Sequence, residues 1–322
     1  MANRLDGILK IDDLSIVHRK SGKTIVREIG LELREREILG IVGESGSGKS
    51  ITVQAILRIL PESLEIKGKI FFEGVDILSL SEQEMVSKIR GKKIAMIFQD
   101  PLNALNPILR IRDQLKILSK SHSIDFRKAE REILEIFNNV GIYGSERVLK
   151  SFPHQLSGGI LQRVVISFIL LLKPKIIIAD EPTTSLDVSI QKEIIKVLNK
   201  IKEDYGVSIL FITHDLLLAR ELCDRVMIMY SGYVLEEGDK NDIFQKPLHP
   251  YTKGLISSIP SVNSKLPNLT FIPGRVPHFL EIRKQCPFAE RCGIVEEICY
   301  KEVPTLEKVS NSKVRCFLVA KD

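Results

Sequence analysis

Ile38-Leu39-Gly40-Ile41-Val42-Gly43-Glu44-Ser45-Gly46-Ser47-Gly48-Lys49-Ser50 is the stretch that decides the fold. Ile38–Val42 is an apolar run of strand length. Gly43 to Ser50 fits the phosphate-loop pattern, with four residues between Gly43 and Gly48-Lys49-Ser50. Residues 51–60 then have helical character. Strand, glycine-rich loop and helix in this order make an anion cradle. The glycines let the backbone wrap closely and turn its N–H groups inward, and the helix points its positive end at the same place. Gly43, Ser45, Gly46, Ser47 and Gly48 would line the cradle. Lys49 would reach the β- and γ-phosphates of ATP, and the Ser50 hydroxyl would bind Mg²⁺.

Working outward, Ile176-Ile177-Ile178-Ala179 is a second buried strand, and it ends in Asp180-Glu181. Beside a phosphate loop, Asp180 would hold Mg²⁺ and Glu181 would orient and deprotonate an attacking water. Residues 93–98, 207–213 and 225–230 read as further strands, with Ser231-Gly232 as a hairpin turn. Ile190, Ile194, Leu198 and Ile201 recur at helical spacing, and Gly206 ends that helix. Ser81 and Glu84 form a capping-box pattern, so a helix start is expected there. Strands alternating with helices predict an α/β core with a mainly parallel sheet and an antiparallel β portion. A mainly helical insertion is expected over about 101–168. After Gly238 prolines recur at 247, 250, 260, 267, 273 and 277, which predicts a small, irregular C-terminal extension.

The bulk composition agrees. Hydrophobic residues make up 44% and charged residues 27%, enough for a sizeable core. Lys and Arg number 47 against 41 Asp and Glu, a mild net charge of +6 spread along the chain. A concentrated basic stripe is missing, which argues against nucleic acid as a partner. Val164–Leu172 is the longest apolar-looking run and falls far short of the roughly 20 residues that span a bilayer. MANRLDGILKIDDLSI lacks the apolar core of a secretion signal, so a cytoplasmic place is expected.

Leu156-Ser157-Gly158-Gly159-Ile160-Leu161-Gln162-Arg163 settles the class. It closely resembles the signature of ABC ATPases, here standing after the phosphate loop and before Asp180-Glu181. The resemblance implies that Ser157, Gly158 and Gly159 face the γ-phosphate of an ATP held by the opposite subunit of a head-to-tail dimer. It also implies that Gln99 contacts Mg²⁺ and links the site to membrane subunits, that His214 is a switch contacting the γ-phosphate, and that Ser185-Leu186-Asp187 crosses the dimer interface. Two positions depart from the family pattern. Where an aromatic ring usually stacks on adenine, this chain has His18, and no Phe, Tyr or Trp lies between Met1 and Ser50. Arg36 occupies a turn where the family commonly has Gly, so a local adjustment is expected.

The tail narrows the branch. His249-Pro250-Tyr251-Thr252-Lys253, Ile272-Pro273-Gly274, Cys286-Pro287-Phe288 and Arg291-Cys292 resemble the C-terminal extension of dipeptide and oligopeptide importer ATPases. The resemblance implies residues 1–240 as the ATPase domain and 241–322 as the extension. It implies a peripheral protein on the cytoplasmic face of the membrane, partnered by a second ATPase (a paralogue or a second copy), two permeases and an extracellular solute-binding protein. Oligosaccharide and nickel importers use similar ATPases, so cargo stays open. A non-transport ABC ATPase acting on nucleic acid is the reading from another class. Cys286, Cys292, Cys299 and Cys316 stand as C-x5-C-x6-C-x16-C. Such a cluster in a cytosolic setting suggests metal over disulfides. The spacing fits zinc poorly, and four thiolates suit a [4Fe–4S] cluster, which some members of this family carry. Unliganded thiols are the remaining possibility. Cys223 is expected to pack in the core.

Overall fold

The computed structural model describes residues 7–184, 186–259 and 271–319. Its strands are β1 (Leu9–His18), β2 (Thr24–Leu33), β3 (Ile38–Val42), β4 (Leu64–Phe72), β5 (Val75–Asp76), β6 (Ile94–Ile97), β7 (Ile176–Asp180), β8 (Ser208–Thr213), β9 (Arg225–Tyr230), β10 (Tyr233–Asp239), β11 (Glu307–Val309) and β12 (Ser312–Val314). The α-helices are α1 (Lys49–Ile56), α2 (Glu82–Glu84), α3 (Pro101–Ala104), α4 (Ile111–Ser121), α5 (Phe126–Asn139), α6 (Ser145–Lys150), α7 (Gly158–Leu171), α8 (Val188–Tyr205), α9 (Leu216–Leu222), α10 (Lys240–Gln245) and α11 (Pro250–Ser257). They fall into two units, Met1–Leu80 with Leu210–Asp322, and Ser81–Ile209.

In the first unit β2, β1, β4 and β5 form an antiparallel sheet. β1 alternates buried and exposed positions along most of its length, so one face meets the core. A second sheet runs β11-β12-β10-β9-β3-β8. Here β3 pairs in parallel with β9, Leu39 opposite Arg225, and all five of its residues are buried. An apolar run covered on both faces is what a parallel strand requires. β9 and β10 form the expected hairpin, with Tyr230 opposite Tyr233. Ser231 at φ 49° and Gly232 at φ 81° give the doubly left-handed two-residue turn that matches strand twist. A Cβ at Gly232 would lie 2.0 Å from the Ile25 carbonyl oxygen, so no other residue fits there.

Arg225 is buried between Glu37 and Glu237, with Nη1 3.0 Å from Glu37 Oε1. Just before Glu37 the expected adjustment appears: Arg36 sits at φ 55°, a conformation that favours glycine. α1 stops at Ile56, short of the helix expected to Leu60, because Arg58 turns left-handed at φ 53°. Among the described residues after Asp239, stretches without regular structure alternate with α10, α11 and the β11–β12 hairpin. That hairpin pairs with β10, Glu236 opposite Val314.

In the second unit β6 and β7 pair in parallel, Ile94 opposite Ile176. The stretch expected to be helical contains α3 to α7. The Ser81 capping box forms, Glu84 N–H donating to Ser81 Oγ at 3.2 Å and Ser81 N–H to Glu84 Oε2 at 3.1 Å. The helix it opens is short, passing into a π turn over Met85–Ile89. α8 buries Ile194, Leu198 and Ile201 and ends at Gly206, φ 65°.

Candidate functional site

The phosphate loop leaves β3 and enters α1 inside the first unit. Gly43 has to be glycine, since a Cβ there would lie 2.1 Å from the Met229 carbonyl oxygen. Gly46 and Gly48 take φ of 80° and 99°. Ser47 is buried, and its carbonyl accepts from Gly232 N–H at 2.9 Å, which ties the loop to the β9–β10 turn. Ser45 and Gly46 are exposed. Lys49 is buried with its ammonium folded onto the loop, donating to the carbonyls of Gly43 at 2.8 Å and Glu44 at 2.9 Å. The cation is thus held beside the loop's own amides, where an anion would be received. Ser50 lies in the first turn of α1.

His214 follows β8 and is exposed. Its neighbours fix the turn: Asp215 N–H donates to Thr213 Oγ1 at 2.9 Å, and Asp215 caps α9 by accepting from Leu217 N–H at 2.8 Å.

In the second unit, three buried isoleucines of β7 deliver Asp180, itself 7% exposed, and then Glu181. Glu181 adopts φ 45°, a strained conformation for a residue with a side chain. Its carboxylate accepts from Thr184 Oγ1 at 2.9 Å and from Gln99 Nε2 at 3.4 Å. The structure therefore brings Gln99, at the end of β6, to Glu181. A carboxylate held by two side-chain donors on a rigid strand end is a well-placed base. Within this unit Asp180 and Gln99 offer a carboxylate and an amide oxygen, hard donors of the kind that suit Mg²⁺.

α7 begins at the signature. Ser157 is its N-cap residue, exposed, and its hydroxyl does not cap its own helix. Gly158 is exposed and Gly159 buried against Ile190, whose Cγ2 would be 2.7 Å from a Cβ. Asp187 is the exposed N-cap of α8, also without a side-chain cap bond. Ser185 lies outside the described residues.

Comparison with known proteins completes this picture. The family described as ABC transporter matches residues 26–184, and that described as oligopeptide/dipeptide transporter, C-terminal region, matches residues 235–299. A protein named oligopeptide transport ATP-binding protein OppD, from Escherichia coli (strain K12), is 39% identical over 316 residues, covering 97% of this chain and 93% of the relative. The chain belongs to the ABC transporter ATP-binding family. Two solved ABC ATPases share its fold. One is cbiO1 from Clostridium perfringens, part of an ABC transporter complex, with TM-score 0.66 and 28% identity over 75% of this chain and 92% of the other. The second is the ATP-binding cassette MJ0796, a dimer in a post-hydrolysis state bound to ADP and Pi. Its TM-score is 0.62 and its identity 27%, over 72% of this chain and 98% of the other. Among the described residues of this ABC ATPase, no helix is long and apolar enough to cross a membrane.

Two features of this ABC ATPase escaped the sequence. His18 ends β1 with Nδ1 2.9 Å from Ser21 Oγ, and Phe279 of the extension stands edge-on to it, ring centres 5.8 Å apart. Nothing in the first 50 residues could have revealed that ring. The second is the grip of Arg291 and Tyr251 on Glu44. Both residues lay inside the quoted tail motifs, but without any sign of what they would meet.

The cysteines need a closer account. None of the five is in a disulfide. Cys223 is fully buried and packs on Gly40, as expected. Cys286 and Cys299 are buried, and Cys286 N–H donates to the Cys299 carbonyl at 2.9 Å. Burial pushes the Cys286 thiol up to about 11, and the neighbouring thiols of Cys299, Cys316 and Cys292 add to it. Burial likewise raises Cys292 and Cys316. Among the described residues no group of three or more His, Cys, Asp or Glu side chains is placed to hold a metal ion. The expected metal centre is therefore not supported by this arrangement.

Proposed function

We propose that this ABC ATPase hydrolyses ATP to drive the import of di- or oligopeptides through membrane permeases. The observation that carries the chemistry is Glu181 at the end of a buried strand, held by Thr184 and Gln99. The cargo rests on the match of residues 235–299 to the oligopeptide/dipeptide transporter C-terminal region, and on a relative named for oligopeptide transport.

In this reading Gly43 to Ser50 receive the phosphates, and Lys49 leaves the loop carbonyls to meet the β- and γ-oxygens. Mg²⁺, when bound, neutralises phosphate charge, and Ser50, Asp180 and Gln99 are the residues to hold it. Glu181 accepts a proton from water as its oxygen bonds to the γ-phosphorus. The bond from that phosphorus to the β–γ bridging oxygen breaks, releasing ADP and inorganic phosphate. His214 contacts the γ-phosphate. His18, with Phe279 beside it, frames the adenine. Ser157, Gly158, Gly159 and Asp187 serve the nucleotide of the opposite subunit, which is why a dimer is needed; the ADP-bound cassette at 27% identity is dimeric. Residues 1–240 form the ATPase part, with 101–168 its helical portion, and 241–322 the extension. The partners are a second ATPase, two permeases and a solute-binding protein. Reconstitution with the permeases in liposomes tests this: ATPase activity and uptake should both respond to peptide. A response to oligosaccharide or nickel alone would refute the cargo, and stimulation by DNA or RNA without permeases would refute transport.

A second proposal concerns Cys286, Cys292, Cys299 and Cys316, and it rests on their spacing in the sequence, C-x5-C-x6-C-x16-C. They would hold a [4Fe–4S] cluster in preference to zinc, on a rearrangement that brings them together as ligands. Iron, zinc and acid-labile sulfide are measured after anaerobic purification, with about four iron and four sulfide per chain expected. A metal-free protein would leave the extension a protein-only element.

A further inference from the structure

Glu44, the second residue of the phosphate loop, is gripped from far along the chain. Arg291 Nη1 donates to its Oε2 at 2.6 Å and Nη2 to its Oε1 at 3.1 Å, a two-point pair. Tyr251 holds it a second time: the phenol donates to Glu44 Oε2 at 3.3 Å, and its oxygen accepts from the Glu44 backbone N–H at 3.2 Å. Backbone and side chain of one loop residue are therefore both fixed by the extension.

Arg291 is built into this place. It is 9% exposed. Nε donates to the Pro273 carbonyl at 2.7 Å, Nη2 also to the Ile272 carbonyl at 3.3 Å, and Nη1 also to Tyr230 Oη at 3.3 Å. With the two bonds to Glu44, all five guanidinium N–H groups have acceptors, a pattern that the three donors of lysine cannot reproduce. Tyr230, Tyr251 and Phe288 wall the pocket, with ring centres 4.8 to 5.5 Å apart.

The loop has reason to need this. Lys49 donates to the carbonyl of the same Glu44, so the position of residue 44 sets where the loop's cation and its following amides point. An unpaired carboxylate one residue into an anion cradle would also repel a polyphosphate.

We propose that Arg291 is a positioning residue of the nucleotide site: through Glu44 it holds the phosphate loop in its anion-receiving shape and cancels a charge that would oppose ATP. This rests on reading Gly43 to Ser50 as the loop that takes the phosphates.

The test is MgATP binding and steady-state turnover of the full chain carrying Arg291→Gln, Arg291→Lys, Tyr251→Phe, Glu44→Gln, or Arg291→Gln with Glu44→Gln. Arg291→Gln should raise the Kd and KM for ATP about tenfold, with kcat at saturation within about twofold. Arg291→Lys should recover only part of the affinity. The double variant should bind ATP better than Arg291→Gln alone, because the stranded carboxylate is gone. Tyr251→Phe removes one hydroxyl and no packing, so it keeps the test alive if Arg291→Gln fails to fold; it should weaken binding about threefold. Parental Kd in folded Arg291→Gln and Tyr251→Phe would overturn the proposal, as would strictly additive effects of Arg291→Gln and Glu44→Gln. Lys49→Ala separates the two levels of inference: if it too leaves the Kd unchanged, the phosphate-loop reading itself fails.

Discussion

Glu181 stands on left-handed backbone, at φ 45°, just beyond the strand that the three buried isoleucines anchor. Thr184 and Gln99 both donate to its carboxylate. Replacing it by glutamine keeps the shape and removes the base. We expect Glu181→Gln to bind ATP with parental affinity and to turn over about 10²- to 10⁴-fold more slowly; near-normal turnover would remove Glu181 from the role. Arg36 is also on left-handed backbone, at φ 55° in the turn before Glu37. Arg36→Gly should therefore stabilise the first unit by about 0.5–1 kcal/mol, read as a higher urea midpoint. A lower midpoint would mean that the arginine side chain matters more than its backbone. On the proposal that His18 and Phe279 frame the adenine, Phe279→Ala should weaken ATP binding several-fold, in line with the roughly 1–3 kcal/mol of a base–aromatic contact. Inorganic polyphosphate has no base, so its binding should be unchanged. An equal loss for both ligands would show that Phe279 supports the fold and does not meet the base.

Elements whose signal is local were legible before any coordinates. β3 and β7 are short apolar runs that only a parallel strand explains, and both are buried throughout. The Ser231-Gly232 turn and the Gly206 stop were visible because left-handed backbone asks for particular residues. The apolar spacing predicts α1 running on to Leu60, because nothing in it announces that Arg58 turns left-handed. The site divided the same way. Its motifs were readable, whereas the Arg291–Glu44 pair joins residues 247 apart and leaves no periodic trace. α11 illustrates a further element-level effect. Its N-cap His249 is 1% exposed, and Nδ1 accepts from Tyr251 N–H at 2.9 Å. Burial holds its pKa down at about 3. The unfolded chain takes up this proton near the ordinary value of 6.5, the folded chain only near 3. Stability is therefore full above 6.5 and falls as pH drops, by about 1.4 kcal/mol per unit. Urea midpoints between pH 6.5 and 5 should show this slope, and His249→Gln should flatten it; the same slope in that variant would assign the acid sensitivity to other groups.

For the molecule as a whole, Ser157, Gly158 and Asp187 are exposed, with neither N-cap side chain spent on its own helix, and the proposal makes them the face that meets the opposite subunit's nucleotide. With ATP and Mg²⁺, the slow Glu181→Gln chain should run as a dimer in gel filtration, and Gly158→Asp on that background should return it to monomer. A monomer in both cases would mean that the signature face meets a different ATPase. The two-point contact between Arg291 and Glu44 also has a hereditary side. On the positioning proposal the phosphate loop depends on a residue 247 positions further along the chain, so exchanging the tail for that of a relative should disturb nucleotide binding. Recombination that exchanges tails should succeed only where a guanidinium arrives to meet the acid already in the loop, and lineages that lose one of the pair should be found to have lost or replaced the other.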